Sequence, residues 1–297
     1  EPKEMQASNV VVDSIIADLK QAEILLTDTD PLNFDFPKDE YEEQNMTSDR
    51  FLFYRHKRMN LYAVKAMLAR VYLYAGNKTE AVNYANQFID GKYFDLIGDA
   101  TDVLRSKEIV FSVYVDKFDQ QVTDITNGTS YLIVKESFLN EMFDVANDGT
   151  NDLRIREGVG FDYGTNGIKM RKYKQENLWA STEGTVVLIR FSEMYYILAE
   201  CAATPEEALE YLVAIREHRN CHMPIMATSS DEVRELVTKE FAREVIGEGQ
   251  LYFYYKRLNL TTFFNGSEIG GTYEMLTDNY KWPLPDVEVD KRGSTNN

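Results

Sequence analysis

Carboxylates that share one face of a predicted helix are the residues of this chain best suited to do chemistry. Two predicted helices carry them, with Glu193 and Glu200 on one and Glu240, Glu244 and Glu248 on the other. A glycosidase needs one carboxyl group as an acid and a second a few ångströms away, so this spacing raises the hypothesis of a hydrolase. The alternative, which we favour, is that arginines neutralise a stack of carboxylates on a scaffold helix, for example Arg190, Arg243 and Arg257.

A second cluster, His218, Cys221 and His222, has the residue types of a zinc site. His222 follows the expected end of a helix, so the two histidines need not share a face. No further pair of ligands accompanies them in the sequence, and we predict neither a metal nor another cofactor. A disulfide between Cys201 and Cys221 is also disfavoured, because a helix length of about 20 Å separates the two positions.

Aromatic rings with amide neighbours, in residues 116–187, suit the binding of a sugar. Sugars present flat apolar faces fringed by hydroxyl groups, so a binder needs exposed rings for contact and polar side chains for hydrogen bonds. The candidate ligand-binding residues are Phe161, Tyr163, Tyr173, Asn177 and Trp179. The alternative is that these rings pack the segment onto the rest of the protein. Trp179 is the leading candidate for ligand contact.

The composition describes a folded, acidic protein. The chain has 297 residues, 44% of them hydrophobic, which is too apolar for a disordered chain. Its formal net charge of −17, with no basic patch in the sequence, disfavours binding to nucleic acid or to an anionic membrane surface. Apolar runs fall far short of the roughly 20 residues of a transmembrane helix. The first residues lack a secretory signal, so we expect either a cytosolic protein or one whose export signal has been removed.

Hydrophobic periodicity predicts helices in the first part of the chain. One, over about residues 9–26, is expected to take Ser8 or Asn9 as its N-cap. Residues 60–93 match the 34-residue tetratricopeptide pattern, in which two antiparallel helices are joined by a short turn, here after Gly76. We interpret this segment as one such repeat.

A similar pair of helices is predicted in the last part of the chain. The first covers residues 188–203, and Thr204 caps the one that follows. Ser229 opens a third helix, which is expected to run to Gly247 or Gly249. Both ends of the chain are therefore expected to be helical.

The middle of the chain differs from both ends. A strand over about residues 109–115 precedes an irregular, aromatic-rich segment, residues 116–187, with one convincing short helix at about 136–143. We therefore divide the chain into a first helical part with a strand at its end (1–115), this insert, and a second helical part with a tail (188–297). The predicted fold class is mainly α, with tetratricopeptide-like helical repeats and a small irregular, β-containing insert.

Several phrases of the sequence, in order along nearly the whole chain, together resemble those of the SusD/RagB family. In chain order, Asp18–Ala22 resembles the family pattern "D-L-x-x-A", Asp152–Arg154 resembles "D-x-R", and Lys172–Tyr173 resembles "K-Y". Further along, Arg190–Glu200 resembles "R-x-x-E…A-E", Glu240–Arg257 resembles "E…E-x-x-x-E-G…K-R", and Trp282–Glu288 resembles "W-P-I-P-x-x-E". The chain departs from the family at Leu251 and Tyr254, where an arginine and an aspartate are usual. It also lacks the long N-terminal part, with its lipidated cysteine, so it resembles the C-terminal portion of a member.

The resemblance implies a non-enzymatic, surface-exposed outer-membrane lipoprotein of Bacteroidetes-type bacteria, of the kind used in polysaccharide utilisation. Such a protein captures a glycan or other nutrient and passes it to a TonB-dependent, SusC-like transporter. Its membrane contact would be an N-terminal lipid anchor that this chain does not include. The alternatives are a tetratricopeptide-type scaffold that binds only proteins and, less favoured, a glycoside hydrolase.

Overall fold

The helices form a mainly α-helical protein, which confirms the predicted fold class. The computed structural model describes residues 6–30, 54–91, 93–127, 134–147, 149–164, 167–174, 182–264 and 270–293. The first part contains α1 (Ser8–Thr27), α2 (Leu61–Tyr74) and α3 (Lys78–Ile89), and the insert contains α4 (Phe118–Asn127) and α5 (Glu136–Met142). The last part contains α6 (Phe191–Cys201), α7 (Pro205–Glu217), α8 (Ser230–Glu244), α9 (Leu251–Leu258) and α10 (Asp286–Gly293). Within these described residues, no helix combines the length and apolar character that a bilayer span requires.

Helices α2 and α3 form the predicted antiparallel pair. The side chain of Asn60 accepts a hydrogen bond from the backbone N–H of Ala63 at the start of α2, and that of Asn77 accepts one from Glu80 at the start of α3. Gly76 has φ +79°, the left-handed conformation that ends a helix at little cost to glycine. Small residues of α2 and the apolar stripe of α3 are fully or almost fully buried: Ala63, Ala66, Ala69, Ala81, Tyr84, Ala85 and Phe88.

Helix α1 packs against α2 but begins differently from the prediction. Ala7 occupies the N-cap position without a side-chain hydrogen bond, so the predicted Ser8 or Asn9 cap is wrong. Leu19 is the residue of α1 that is buried against the neighbouring helices. The opposite face of α1 is exposed to solvent, with apolar side chains on it, among them Val10, Val11, Ile24 and Leu25.

The second helical part follows the predicted caps but starts later than expected. Thr204 accepts a hydrogen bond from the N–H of Glu207, and Pro205 occupies the first turn of α7. Ser229 does the same for Glu232 at the start of α8. The prediction of a helix from residue 188 is wrong, because Leu188, Ile189 and Arg190 belong to a strand.

Three small antiparallel strand pairs complete the regular structure of the described residues. The strands are β1 (Ile109–Tyr114), β2 (Phe161–Gly164), β3 (Gly167–Met170), β4 (Thr185–Arg190), β5 (Thr262–Phe264) and β6 (Thr272–Glu274). β1 pairs with β4, β2 with β3 and β5 with β6. In the first pair Ile109 lies opposite Arg190, so the end of the first helical part is hydrogen-bonded to the start of the second. The insert also holds α4, a helix that the sequence prediction missed.

Two apolar cores fill the helical parts, and smaller clusters fill the insert. The first core joins α1, α2, α3 and α6, and the second joins α6, α7, α8 and α9, so α6 contributes to both. Leu139, Phe143, Ile155, Phe161 and Ile168 form the cluster of the insert. Burial of such side chains provides most of the stability of a helical repeat.

We expect replacement of Asn60 by alanine to lower the free energy of unfolding by about 2–4 kcal/mol. Asn60 is fully buried, and besides capping α2 its amide donates to the carbonyl oxygens of Arg55, Arg58 and Val110. The exposed cap Asn77 is the matched control, and Asn77→Ala should cost only about 0.5–1 kcal/mol. Urea unfolding of the two variants measures both costs, and equal costs would contradict a structural role for the three amide bonds.

Candidate functional site

The glutamates singled out by their spacing lie in the interior of the protein. Glu240 and Glu244 are on the buried face of α8, and each is 3% exposed. The predicted helix end at Gly247 or Gly249 is wrong, because α8 ends at Glu244. Glu248 therefore stands in the turn that follows and not on the helix face, although it too is buried.

Glu240 accepts hydrogen bonds from three guanidinium groups. Its two oxygens are 2.7 Å from Nη1 of Arg216, 2.6 Å from Nη1 of Arg243 and 2.9 Å from Nη2 of Arg154. Burial alone would raise the pKa of the Glu240 carboxyl, but Arg154, Arg243 and Arg216 together lower that pKa to about 2. Glu240 is therefore ionised and fully paired at neutral pH.

Glu244 shares its charge between two arginines from different parts of the chain. Its oxygens accept from Nε and Nη2 of Arg219, at 3.1 and 2.8 Å, and from Nη1 of Arg154 at 3.2 Å. Arg219 has no exposed surface, and it also donates to both oxygens of Glu108, at 2.9 and 2.7 Å. Burial would raise the pKa of Glu244, yet Arg219 leads the positive charges that hold this pKa well below its usual range.

Arg154 connects the insert to α8. It forms a bidentate pair with Asp152 two residues earlier, and its other contacts are Glu240 and Glu244. Gly160 lies so close to the backbone of Arg154 that a Cβ there would be 1.8 Å from the Arg154 carbonyl oxygen. A side chain at position 160 would thus displace the loop that positions the guanidinium.

Lys172 and Tyr173 satisfy carbonyl groups at the end of α8. The Lys172 ammonium donates to the carbonyl oxygens of Glu244 and Ile246, at 3.2 and 3.1 Å, and to Glu248 at 2.9 Å. The Tyr173 hydroxyl donates to the Gly247 carbonyl. Burial lowers the pKa of Lys172 to about 8, although Glu248 opposes that effect.

The two remaining glutamates of the predicted set, Glu193 and Glu200, lie on α6. Glu193 forms a bidentate pair with Arg70, at 2.6 Å for each contact, and Glu200 forms one with Arg257 at the same distances. Arg190, at the end of β4, pairs with Glu248 and donates to the Leu104 carbonyl at 2.7 Å. The expectation that arginines neutralise these carboxylates is confirmed.

We call the interior set the buried charge cluster. Its members are each less than a tenth exposed: Asp102, Arg105, Glu108, Asp152, Arg154, Lys172, Arg190, Arg216, Arg219, Glu240, Arg243, Glu244 and Glu248. A glycosidase acid needs a raised pKa and access to a glycosidic oxygen. The glutamates of α8 have lowered pKa values and are enclosed by guanidinium groups, so they do not resemble a hydrolytic pair. Their ion pairs instead join the insert to the helices.

Of the sequence-predicted ligand contacts, the structure describes Phe161, Tyr163 and Tyr173. Phe161 and Tyr173 are 1% and 3% exposed, and Tyr163 is half-buried with its hydroxyl donating to the Ile155 carbonyl. Burial favours the packing alternative for Phe161 and Tyr173. Asn177 and Trp179 lie outside the described residues. Ligand contact by any of the five stays a prediction.

Exposed aromatic rings occur instead beside α9. We call Phe253, Tyr273 and Trp282, together with the half-buried Tyr252, the aromatic surface. Trp282, Phe253 and Tyr273 are 73%, 65% and 50% exposed. Tyr252 stands edge-on to Trp282, with 5.8 Å between ring centroids, and edge-on to Phe253 at 5.5 Å. Trp282, Phe253 and Tyr273 are among the most exposed rings of the described residues.

Buried neighbours hold the aromatic surface in place. Tyr280 contacts Tyr252 at 5.8 Å, is itself buried, and donates from its hydroxyl to the Leu260 carbonyl at 2.8 Å. Tyr273 stacks on Phe263 of β5, with 5.4 Å between centroids. The surface is therefore supported by packed side chains from the second helical part.

Sequence reasoning missed this surface, although a signal for it was present. Trp282 was noticed only as part of the phrase Trp282–Glu288. A tryptophan followed by Pro283 and Pro285, outside any apolar periodicity, is typical of an irregular surface segment and not of a core.

No metal centre is indicated in the described part of the chain, where no three His, Cys, Asp or Glu side chains are placed to hold an ion. His218 Nδ1 is 2.8 Å from the Ala214 carbonyl oxygen, and the exposed His222 contacts Asn220. Cys201 and Cys221 are both free thiols. Burial, followed by the charge of Asp152, raises the pKa of the Cys221 thiol to about 12, so it is not a reactive thiolate.

Comparison with known proteins supports the resemblance seen in the sequence. Residues 157–295 match the SusD family, which confirms the SusD/RagB resemblance over that part of the chain. No curated protein sequence matches the chain.

Solved structures extend the likeness over most of the chain. A SusD superfamily protein from Bacteroides thetaiotaomicron VPI-5482 shares 19% identity at a TM-score of 0.64, over 94% of this chain and 64% of that one. A SusD-like carbohydrate binding protein from Bacteroides vulgatus ATCC 8482 shares 19% identity at a TM-score of 0.62, over 88% and 54%. A SusD superfamily protein from Bacteroides fragilis NCTC 9343 shares 14% identity at a TM-score of 0.65, over 97% of this chain and 71% of that one.

At these identities the structural likeness establishes the fold. The chain spans a little over half to about two thirds of the first two of these proteins. What the whole of such a protein binds is therefore a matter for proposal.

Proposed function

We propose that this chain acts in a SusD-type nutrient-binding protein that holds a carbohydrate without altering it. The observation that carries the proposal is the aromatic surface, whose rings are exposed while the clustered carboxylates of α8 are closed by arginines. A protein that binds a sugar needs open rings, whereas one that hydrolyses it needs an open pair of carboxyl groups.

The aromatic surface has the chemistry that a sugar requires. The apolar face of a pyranose can stack on Trp282 or Phe253, and its hydroxyl groups need donors and acceptors beside the ring. Asp278 and Lys281 form an exposed ion pair at 2.9 Å, one to four residues before Trp282. They supply an acceptor and a donor close in sequence to Trp282.

The insert is proposed to contribute further contacts through Asn177 and Trp179, which the sequence singled out. By its likeness to the SusD family, we further propose that the protein works at the outer membrane with a TonB-dependent transporter. A lipid anchor would hold it there. The family match and the SusD-like carbohydrate binding protein from B. vulgatus support this proposal.

The alternative, a scaffold that binds only proteins, would use the exposed apolar face of α1 and not the aromatic surface. Helix α1 exposes apolar side chains, with Ile24 67% and Leu25 63% exposed. Apolar faces of helical repeats commonly contact other proteins. Variants on α1 therefore distinguish a protein contact from a sugar contact at Trp282.

We expect Trp282→Ala to raise the dissociation constant for a bound glycan at least tenfold, or about 1.4 kcal/mol. The reason is the loss of the ring that offers the largest exposed face. Calorimetry of the purified chain against a panel of plant, host and microbial polysaccharides and oligosaccharides measures the effect. Trp179→Ala tests the insert in the same way.

Tyr74→Ala provides the matched control. Tyr74 is an exposed ring at the end of α2, 50% exposed, and its removal should leave glycan binding unchanged. The proposal fails if no member of the panel binds the wild-type protein, or if the bound glycan is cleaved during the measurement. Binding that survives Trp282→Ala and is lost in Trp179→Ala would place the sugar on the insert alone.

A further inference from the structure

We propose that a small monovalent anion, chloride in the cell, binds beside Arg105 in a cavity of the buried charge cluster. The proposal is independent of sugar binding. It depends on the charge balance of the interior, on the contacts of Arg105 and on the size of the cavity beside it.

The buried charge cluster contains one cation more than its carboxylates neutralise. Its six carboxylates are Asp102, Glu108, Asp152, Glu240, Glu244 and Glu248, and its seven cations are Arg105, Arg154, Lys172, Arg190, Arg216, Arg219 and Arg243. An isolated charge in a protein interior is costly, so buried charges are normally paired. In a chain with a net charge of −17, an excess of one cation in the interior requires an explanation.

Arg105 is the cation without a carboxylate. Among the described residues no carboxylate oxygen lies within ion-pairing distance of its guanidinium, and its hydrogen bond to the Val103 carbonyl is long, at 3.5 Å. Its side chain is nevertheless buried, with 7% of the residue exposed. Burial and the charge of Arg219 lower the pKa of Arg105 to about 10, which still leaves it charged at neutral pH. Its backbone is left-handed, with φ +53°, a conformation that a non-glycine residue adopts at some cost.

A small cavity is lined in part by Arg105. Its volume is about 20 Å³, and its lining includes Arg105, Arg154, Lys172 and Arg243. The last three of these cations already have carboxylate partners, in Glu240, Glu244 and Glu248. A species in the cavity therefore meets a positive environment in which Arg105 has donors to offer.

Carboxylates of the lining do not serve as the missing counter-ion. Asp102 accepts from the N–H and hydroxyl of Ser106, at 2.7 and 2.8 Å. Burial raises the pKa of Asp102, although Ser106 and the charges of Arg105 and Arg190 oppose that effect. Glu244 forms its ion pairs with Arg154 and Arg219. The charge of Arg105 also helps to lower the pKa of Glu244, but the two side chains form no ion pair. Asp99 also lines the cavity but is exposed, and its carboxylate accepts from Thr101.

The size of the cavity selects the class of anion. About 10–15 Å³ of such volume accommodates one water molecule, so a single ion slightly larger than water fits. A water molecule would satisfy a donor of Arg105 but would leave the excess charge uncompensated. A monovalent halide meets both requirements.

Bromide soaked into crystals of the protein tests the site directly, because its anomalous scattering distinguishes it from water. We expect one ordered bromide within hydrogen-bonding distance of the Arg105 guanidinium. A cavity that holds only water, or bromide found only on the outer surface, would overturn the proposal.

Unfolding in solution provides a second test. At constant ionic strength, with chloride exchanged for gluconate, the unfolding constant should fall tenfold for each tenfold rise in chloride above the dissociation constant, as for release of one ion. Arg105→Gln should abolish this dependence, and Arg234→Gln, an exposed arginine on α8, should preserve it. Equal stability of the wild-type protein in the two salts would contradict the proposal, and that comparison does not require the Arg105 variant to fold.

Discussion

Glu244→Gln is expected to lower the free energy of unfolding by about 3–5 kcal/mol, because it leaves two buried guanidinium groups without their shared counter-ion. Arg219 has no exposed surface, and Arg154 is almost as buried. Glutamine keeps the shape of the side chain and one acceptor oxygen but removes the charge. The loss therefore measures the electrostatic contribution to stability rather than a change in packing.

Glu235→Gln is the matched control for this experiment. Glu235 lies on the exposed face of the same helix, so the change should alter stability by no more than about 0.5 kcal/mol. Urea unfolding followed by circular dichroism at neutral pH gives both values. Equal stabilities of the two variants would mean that water reaches Glu244 and that the buried charge cluster is not closed.

The same variant separates the binding proposal from a hydrolase. If Glu244 were a catalytic acid or base, Glu244→Gln would abolish turnover in a protein that still binds glycan. We expect the wild-type protein to release no reducing sugar from any glycan that it binds. Turnover that is lost on this substitution would sink the binding-only proposal.

Local signals made much of the fold predictable from the sequence. Thr204 and Ser229 each cap a helix as expected, because a cap requires only one polar side chain and the N–H groups of the next turn. Signals that depend on distant pairing were missed. Residues 188–190 have a helical apolar pattern but join β4, because β1, more than 70 residues earlier, offers them backbone hydrogen bonds.

The candidate site was less predictable for the same reason. Neutralisation of the α8 glutamates was expected, yet partners such as Arg154 and Arg219 come from other elements and cannot be assigned without the tertiary arrangement. Whether an aromatic ring faces solvent is also decided by packing. Tyr173 was a candidate ligand contact and is buried, whereas Trp282 was passed over and is exposed.

The family phrases have a physical meaning in this structure. Arg154 of the "D-x-R" phrase, Lys172 of "K-Y", Arg190 of "R-x-x-E", and Glu240 and Glu248 of the α8 phrase all meet in the buried charge cluster. Residues far apart in the sequence thus join the insert to both helical parts. These phrases therefore describe how the fold is held together, whereas Trp282 of the "W-P-I-P-x-x-E" phrase lies on the aromatic surface.

Acid is expected to unfold the protein through this same cluster, with stability falling steeply as the pH drops below about 4.5. Glu240 has a pKa of about 2 in the folded protein, against 4.5 for an ordinary glutamate, and the pKa values of Glu244 and Glu248 are also lowered. A carboxylate of lowered pKa stabilises the folded state fully above the unfolded pKa. For Glu240 that contribution, about 3 kcal/mol, is lost as the pH falls from 4.5 to 2.

Urea unfolding at pH 7.0, 5.5, 4.0 and 3.0 measures this dependence, and Glu235→Gln should reproduce the wild-type profile. Glu240→Gln should begin less stable at neutral pH and lose less on acidification, because the group that takes up the proton has been removed. Parallel profiles for the wild-type protein and Glu240→Gln would show that other carboxylates govern the acid transition. In that case the three arginines that contact Glu240 would not lower its pKa in the folded protein. That result would contradict the prediction made from three guanidinium contacts on one buried carboxylate.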